Sequence, residues 1–319
     1  MADPRKKKPA RGNVENSGFY ENIATTSGGS PIANELATSR SARQRLDKAV
    51  FERPTKTRVM TVTNQKGGVG KTTTTVNIAA ALAKRGLNVL VIDSDPQGNA
   101  STALGVEHGP DDASTYDVLL GEMTIAEVVQ TSREADTLAV VPATIELSGA
   151  EIELVGIERR ESRLKEALDV YLAETSQSEK TRIDYVFIDC PPSLGLLTIN
   201  AMVAASEAFI PIQCEYYALE GLSQLLNNIQ LVQSSLNKEL EVSTILLTMY
   251  DRRTNLSTEV AQNVRGHFPE STLNTKIPRS VRISEAPSFQ QTVITYDPAS
   301  PGAIAYEQAA LEISKQGVK

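Results

Sequence analysis

The run Lys66-Gly67-Gly68-Val69-Gly70-Lys71-Thr72-Thr73 constrains this chain more than any other feature. It stands between a β-prone stretch, Val59 to Asn64, and an alanine-rich stretch, Thr72 to Arg85, that reads as a helix and stops at Gly86. A glycine-rich turn leading from a strand into a helix can cradle phosphate. Its backbone N–H groups can face phosphate oxygens, and the helix N-terminus adds positive potential. On this reading Lys71 reaches the β- and γ-phosphates, the Thr72 hydroxyl ligates Mg²⁺, and Thr73 touches the α-phosphate. ATP with Mg²⁺ is the expected ligand. A turn that binds nothing would not need three glycines, two lysines and two threonines in this register.

Downstream, apolar strands and helices alternate. Asn88–Asp93, Leu138–Val141, Tyr185–Asp189, Ala208–Ile212 and Thr244–Met249 read as strands. Glu158–Glu174, Leu197–Ala205, Leu219–Leu236, Ser257–His267 and Ala303–Lys315 read as helices. Continuous apolar strands separated by helices predict an α/β fold, a mostly parallel twisted sheet with helices on both faces. With 319 residues and 40% hydrophobic content, the chain can bury such a core.

Charge divides the chain unevenly. Residues 1–56 hold 11 Lys/Arg against 6 Asp/Glu, a net of +5, and residues 57–319 hold 21 against 33, a net of −12, summing to −7. The first segment reads as a basic, disordered N-terminal extension, with a cationic cluster at Arg5 to Lys8. Within it Ile32 to Phe51 carries a sparse helical pattern through Leu36, Leu46 and Val50, but the reading preferred is a solvated leader. Residues 57–319 read as the folded, nucleotide-binding domain, expected to be an ATPase. Two cysteines without a CxxC pair, Cys190 and Cys214, disfavour a disulfide framework or zinc site and fit a reducing cytoplasm. His108 and His267 read as surface or helix-end residues. No secretory signal or membrane-spanning run is present.

Two acidic motifs follow strands. Asp93-Ser94-Asp95-Pro96-Gln97-Gly98-Asn99 stands at the carboxyl end of one, where open α/β sheets bind ligands. Taken alone, such aspartates are often turn or cap residues. The apolar run Tyr185 to Asp189 ends in a carboxylate suited to hold Mg²⁺ directly or through water. Cys190-Pro191-Pro192-Ser193-Leu194-Gly195 follows as a candidate γ-phosphate switch.

In the common phosphate loop a glycine stands five residues before Gly70; here that position is Gln65, and a second lysine, Lys66, opens the loop. This variant resembles the deviant Walker A class of P-loop NTPases, which includes ParA, MinD and nitrogenase-iron-protein relatives. The Pro96-Gln97-Gly98-Asn99 tail, the segment Ile210 to Gly221, Leu247 to Asp251 and Ile277 to Ser288 resemble the ParA/Soj family of chromosome-partitioning ATPases, a likeness covering roughly residues 58–310. The resemblance implies that Lys66 reaches a partner subunit's nucleotide, that Asp95 positions the attacking water, and that Asp93 supports the Mg²⁺ side. It implies adenine contacts from Met249, Pro278 and Ser280; relatives often carry Asn where Ser280 stands. It implies DNA-binding arginines at Arg253 and Arg282, with Arg252, Arg265, Lys276 and Arg279 widening the patch.

The expected function is therefore an ATP-dependent dimerising switch with weak basal ATPase activity. It would bind DNA non-specifically and drive chromosome or plasmid partitioning with a ParB-type centromere-binding partner, cytoplasmic and nucleoid-associated. The alternative is a MinD-like membrane-cycling ATPase, but the tail Glu307 to Lys319 lacks the large apolar face of a membrane-binding helix. An iron–sulfur reductase would need paired cluster cysteines. A non-enzymatic scaffold would not need the lysine, threonine and aspartate set.

Overall fold

The computed structural model describes residues 31–317, with side chains from residue 39 onward. The cationic cluster Arg5 to Lys8 and the disorder expected for residues 1–30 lie outside the described residues.

Eight strands among the described residues form one sheet: β1 (Arg58–Val62), β2 (Val89–Asp93), β3 (Gln130–Thr131), β4 (Leu138–Val141), β5 (Tyr185–Asp189), β6 (Glu207–Gln213), β7 (Glu241–Tyr250) and β8 (Thr272–Pro278). Their order is β3-β4-β2-β5-β1-β6-β7-β8. The β3–β4 pair is antiparallel, and every other pair is parallel. The inner strands are apolar on both sides because both faces are covered. Val89 and Val91 enter one core with helices Lys71–Ala83 and Pro301–Gln316. Leu90 and Ile92 enter another with helices Arg163–Thr175 and Leu196–Ala204. A third core lies under helices Ala218–Ser235 and Asn255–His267.

This topology positions the site. β1 carries the glycine-rich loop at its carboxyl end and lies between β5 and β6. β5 in turn lies beside β2, with Asp189 opposite Asp93 in register. The loop and both acidic motifs thus share the carboxyl edge of three adjacent strands.

The solvated-leader reading needs correction between Pro31 and Lys48, which form a helix. Leu46 is 2% exposed, and Arg43 pairs with Glu307 on helix Pro301–Gln316. Arg85 donates to the other oxygen of Glu307 at 2.9 Å and lies over the Phe51 ring. A buried carboxylate held by two guanidiniums anchors the helix that one leucine seats. Among the described residues no helix is long and apolar enough to cross a membrane.

Candidate nucleotide site

The loop from Lys66 to Gly70 closes on its helix through Gly70, whose φ of 90° is left-handed and favours glycine. The amide of Thr74 donates to the Gly70 carbonyl at 2.8 Å, beginning the helix. Val69 is buried, and its carbonyl accepts from the Thr248 hydroxyl at 2.8 Å. β7 therefore pins the loop from the side. Gly67 and Gly68 stand exposed at the rim.

Lys71 is 7% exposed, and burial pulls its amine pKa down while the charges of Asp189, Cys190 and Asp95 oppose that shift. The Thr72 hydroxyl donates to Asp189 Oδ2 at 2.7 Å, and the Thr75 hydroxyl to Asp189 Oδ1 at 2.9 Å. Of the three residues expected on the Mg²⁺ side, Thr72 and Asp189 are thus in direct hydrogen-bond contact, and both offer the hard oxygen atoms that this cation takes. Asp93 is placed differently. Its Oδ2 accepts from the Ser101 amide at 2.9 Å and the Ser101 hydroxyl at 2.7 Å, and its Oδ1 accepts from the Asp95 amide at 3.2 Å. Its carboxylate is occupied by protein donors, so it braces the turn that carries Asp95. Burial pushes the carboxyl pKa of both Asp93 and Asp189 up, each raised further by a neighbouring carboxylate.

Asp95 is 8% exposed and accepts from the Gln97 amide at 3.1 Å through Oδ1. The turn closes with the Gly98 amide on the Asp95 carbonyl at 2.9 Å. Gly98 has φ 61°, and a Cβ there would stand 2.9 Å from His108 Nδ1 and 3.0 Å from the Ala143 carbonyl oxygen. His108 is half-buried against this turn and shares a hydrogen bond with Thr102, so it is not the surface residue expected. His267 does end a helix, as read.

Lys66 forms an ion pair with Glu215 at 2.8 Å within the same chain, and its amide donates to Asn64. Glu215 was not anticipated; only its place in the loop after β6 could have signalled it. Met249 follows Thr248 directly, with a left-handed φ of 50° uncommon for its residue type. Tyr250 lies opposite Pro278, so Met249, Pro278 and Ser280 occupy neighbouring carboxyl ends beside the pinned loop. Thr73, half-buried, begins the helix beside Thr72.

Arg253 and Arg282 are both exposed and both paired with carboxylates. Arg253 grips Asp251 through Nε at 2.9 Å and Nη2 at 2.8 Å, holding the Asp251 carboxyl at about 2. Arg282 meets Glu285 at 3.2 Å and Asp297 at 3.4 Å. The Arg265 guanidinium donates to the Leu273 carbonyl, and Lys276 lies over the Tyr250 ring, so both have structural contacts. Arg279 is exposed.

A glycine-rich loop opened by Lys66, a strand-end carboxylate on the Thr72 hydroxyl and this parallel sheet define a P-loop nucleoside triphosphatase of the deviant Walker A class. A family model described as an AAA domain matches residues 57–242. The sporulation initiation inhibitor protein Soj of Bacillus subtilis is 50% identical over 260 residues, covering 82% of this chain and 99% of its own. The chromosome partitioning protein ParA of Caulobacter vibrioides is 49% identical over 256 residues, covering 80% and 93%. The chain belongs to the ParA/Soj family of chromosome-partitioning proteins. Among solved structures, a Mycobacterium smegmatis protein described as cobyrinic acid a,c-diamide synthase, with bound ATP analogue and magnesium, is 38% identical with a TM-score of 0.66, covering 80% of this chain and 93% of its own. The cell division ATPase MinD of Pyrococcus furiosus is 28% identical with a TM-score of 0.65, covering 81% and 99%.

Proposed function

We propose that this protein is an ATP-dependent switch that dimerises on ATP, binds DNA without sequence preference and partitions a chromosome or plasmid with a ParB-type partner. The observation that carries the reading is the convergence of Lys71, Thr72, Asp189 and Asp95 on three adjacent strand ends, with the Thr72 hydroxyl 2.7 Å from Asp189. Thr72 and Asp189 would hold Mg²⁺, which offsets negative charge on the phosphates during transfer. Lys71 and the loop amides bind and orient the phosphates, and Asp95 orients water for attack. Lys66, held by Glu215 in one chain, would exchange that partner for a second subunit's nucleotide. Adenine would lie against Met249, Pro278 and Ser280. The exposed Arg253 and Arg282 would meet DNA phosphates on a nucleoid, and basal turnover would be weak.

Helix Pro301–Gln316 is not itself a membrane-binding helix of the kind the membrane-cycling alternative needs, because its Ala303, Tyr306, Ala309, Ala310 and Ile313 are spent in the core. Turnover measured with and without DNA and a ParB-type protein tests the switch. Asp95→Ala should bind an ATP analogue normally, slow hydrolysis by about 100-fold and accumulate ATP-bound dimers. Hydrolysis by Asp95→Ala at the wild-type rate would remove Asp95 from the chemistry.

A further inference from the structure

Asp93 is fully buried, and among the described residues its carboxylate is met by Ser101 and the Asp95 amide, with no lysine or arginine beside it. A carboxylate in such a place is costly unless its lone pairs are taken by donors. Its donors are specific: the Ser101 amide, the Ser101 hydroxyl and the Asp95 amide. Ser101 is also fully buried, and its hydroxyl accepts from the Ala143 amide at 3.0 Å while it donates to Asp93. A serine hydroxyl has one proton to give, and here it goes to Asp93. One carboxylate thus ties both ends of the Asp93-to-Ser101 turn together, and one hydroxyl ties the turn to the segment after β4. The Thr115 hydroxyl fixes the Asp93 carbonyl from a third side at 2.7 Å.

We propose that Asp93 and Ser101 form a buried positioning pair that sets the direction of the Asp95 carboxylate, so that Ser101 governs hydrolysis without touching nucleotide. Asp93 Oδ1 holds the amide of Asp95, and Gln97 holds one of its two carboxylate oxygens. Asp95 Oδ2 accepts no hydrogen bond among the described residues, which leaves it as the oxygen to orient water. Ser101→Ala would leave the Ala143 amide without its acceptor and withdraw one of the two Ser101 donors from Asp93. Held by two backbone amides in place of three donors, the Asp93 carboxylate would turn more easily, moving the Asp95 amide with it. Displacements of this kind at a positioned group cost rate more than binding. The inference rests on the proposed role of Asp95.

The test compares wild type, Ser101→Ala, Ser101→Thr and Asp95→Ala as full chains. Affinity for a fluorescent ATP analogue is measured alongside kcat for ATP. Ser101→Ala is expected to bind the analogue within twofold of wild type and to lose about tenfold in kcat. Ser101→Thr, which keeps the hydroxyl, is expected to recover most of that loss. Wild-type kcat in Ser101→Ala beside a slow Asp95→Ala overturns the positioning pair and leaves the reading of Asp95 standing. Wild-type kcat in both overturns the reading of Asp95, and the pair with it. A loss of affinity equal to the loss of kcat makes Ser101 a structural residue only and overturns the inference. Should Ser101→Ala lack a cooperative thermal transition, Asp93→Asn decides on the same readouts. Its carbonyl can still accept from Ser101 while its amide faces the Asp95 N–H, donor against donor, so kcat should fall with affinity kept. Wild-type kcat in Asp93→Asn would overturn the pair.

Discussion

Lys66 and Lys71 stand on one loop with the same charge, and burial separates their tasks. Lys71 is 7% exposed and faces Asp189 and Asp95, whereas the Lys66 side chain is 39% exposed and held by Glu215. Removal of Lys71 should therefore strike nucleotide binding itself. Lys71→Ala is expected to weaken binding of a fluorescent ATP analogue by about 100-fold or more, since it leaves the phosphates without their buried cation. Lys66→Ala should bind within about threefold of wild type but stay monomeric with the analogue in sedimentation. Dimers of Lys66→Ala equal to wild type would show that this lysine crosses no interface. The cysteines make a second residue-scale test. Burial pushes the Cys190 thiol up to about 12 and Cys214 up to about 11. A raised pKa leaves less thiolate at any pH below it, and the thiolate is the nucleophile. Both should resist iodoacetamide at pH 8 in the folded chain and react on unfolding; rapid labelling of native protein, read by mass spectrometry, would contradict their burial.

At the scale of elements, legibility followed how much of each element's pattern came from burial. β2 and β5 are buried at every position, and their apolar runs read as strands within a residue of their observed bounds. β8, Thr272–Pro278, escaped notice because it is an edge strand with polar Thr272, Asn274, Thr275 and Lys276, so no apolar run marks it. β3 is too short to leave a pattern. The loop and its two acidic partners were legible because their chemistry depends on local spacing. Ser101 and Glu215 were not, since each acts through a contact that only the folded turn creates. Helix Pro31–Lys48 was visible but undervalued: a sparse pattern looks weak unless the acceptor surface is known, and that surface is Glu307, Arg85 and their neighbours. Its seating is testable. Leu46 is 2% exposed, so Leu46→Ala should cost about 2–3 kcal/mol and lower the thermal midpoint. An unchanged midpoint would mean the helix is not docked in solution.

For the whole molecule, the arithmetic of charge sets the terms of DNA binding. The chain carries a net −7, and residues 57–319 alone carry −12, so a DNA face has to be local and the long-range field opposes it. Both candidate arginines are moreover engaged: Arg253 holds Asp251 with two hydrogen bonds, and Arg282 lies between Glu285 and Asp297. A phosphate approaching Arg253 must compete with a carboxylate already in bidentate contact. Removing that carboxylate's charge should therefore strengthen binding, while reversing the arginine should weaken it. Asp251→Asn keeps an acceptor for the Arg253 amide, which Asp251 now receives at 3.0 Å, and adds one net positive charge. We expect Asp251→Asn to raise affinity for a random-sequence duplex by about threefold to tenfold at moderate salt, and Arg253→Glu or Arg282→Glu to lower it by tenfold or more. Wild-type affinity should fall steeply with salt and change little with sequence. The leader's cations between Arg5 and Arg11 could mask these effects, so each variant is also made in a chain beginning at Pro31, which keeps the helix that Leu46 seats. Fluorescence anisotropy with ATP analogue present reads the result. Tenfold losses that persist in the shortened chain place the DNA contact on the folded domain. Affinity that survives both arginine reversals and disappears only with residues 1–30 would place it on the leader, and an Asp251→Asn chain no tighter than wild type would mean that Asp251 never competed with phosphate.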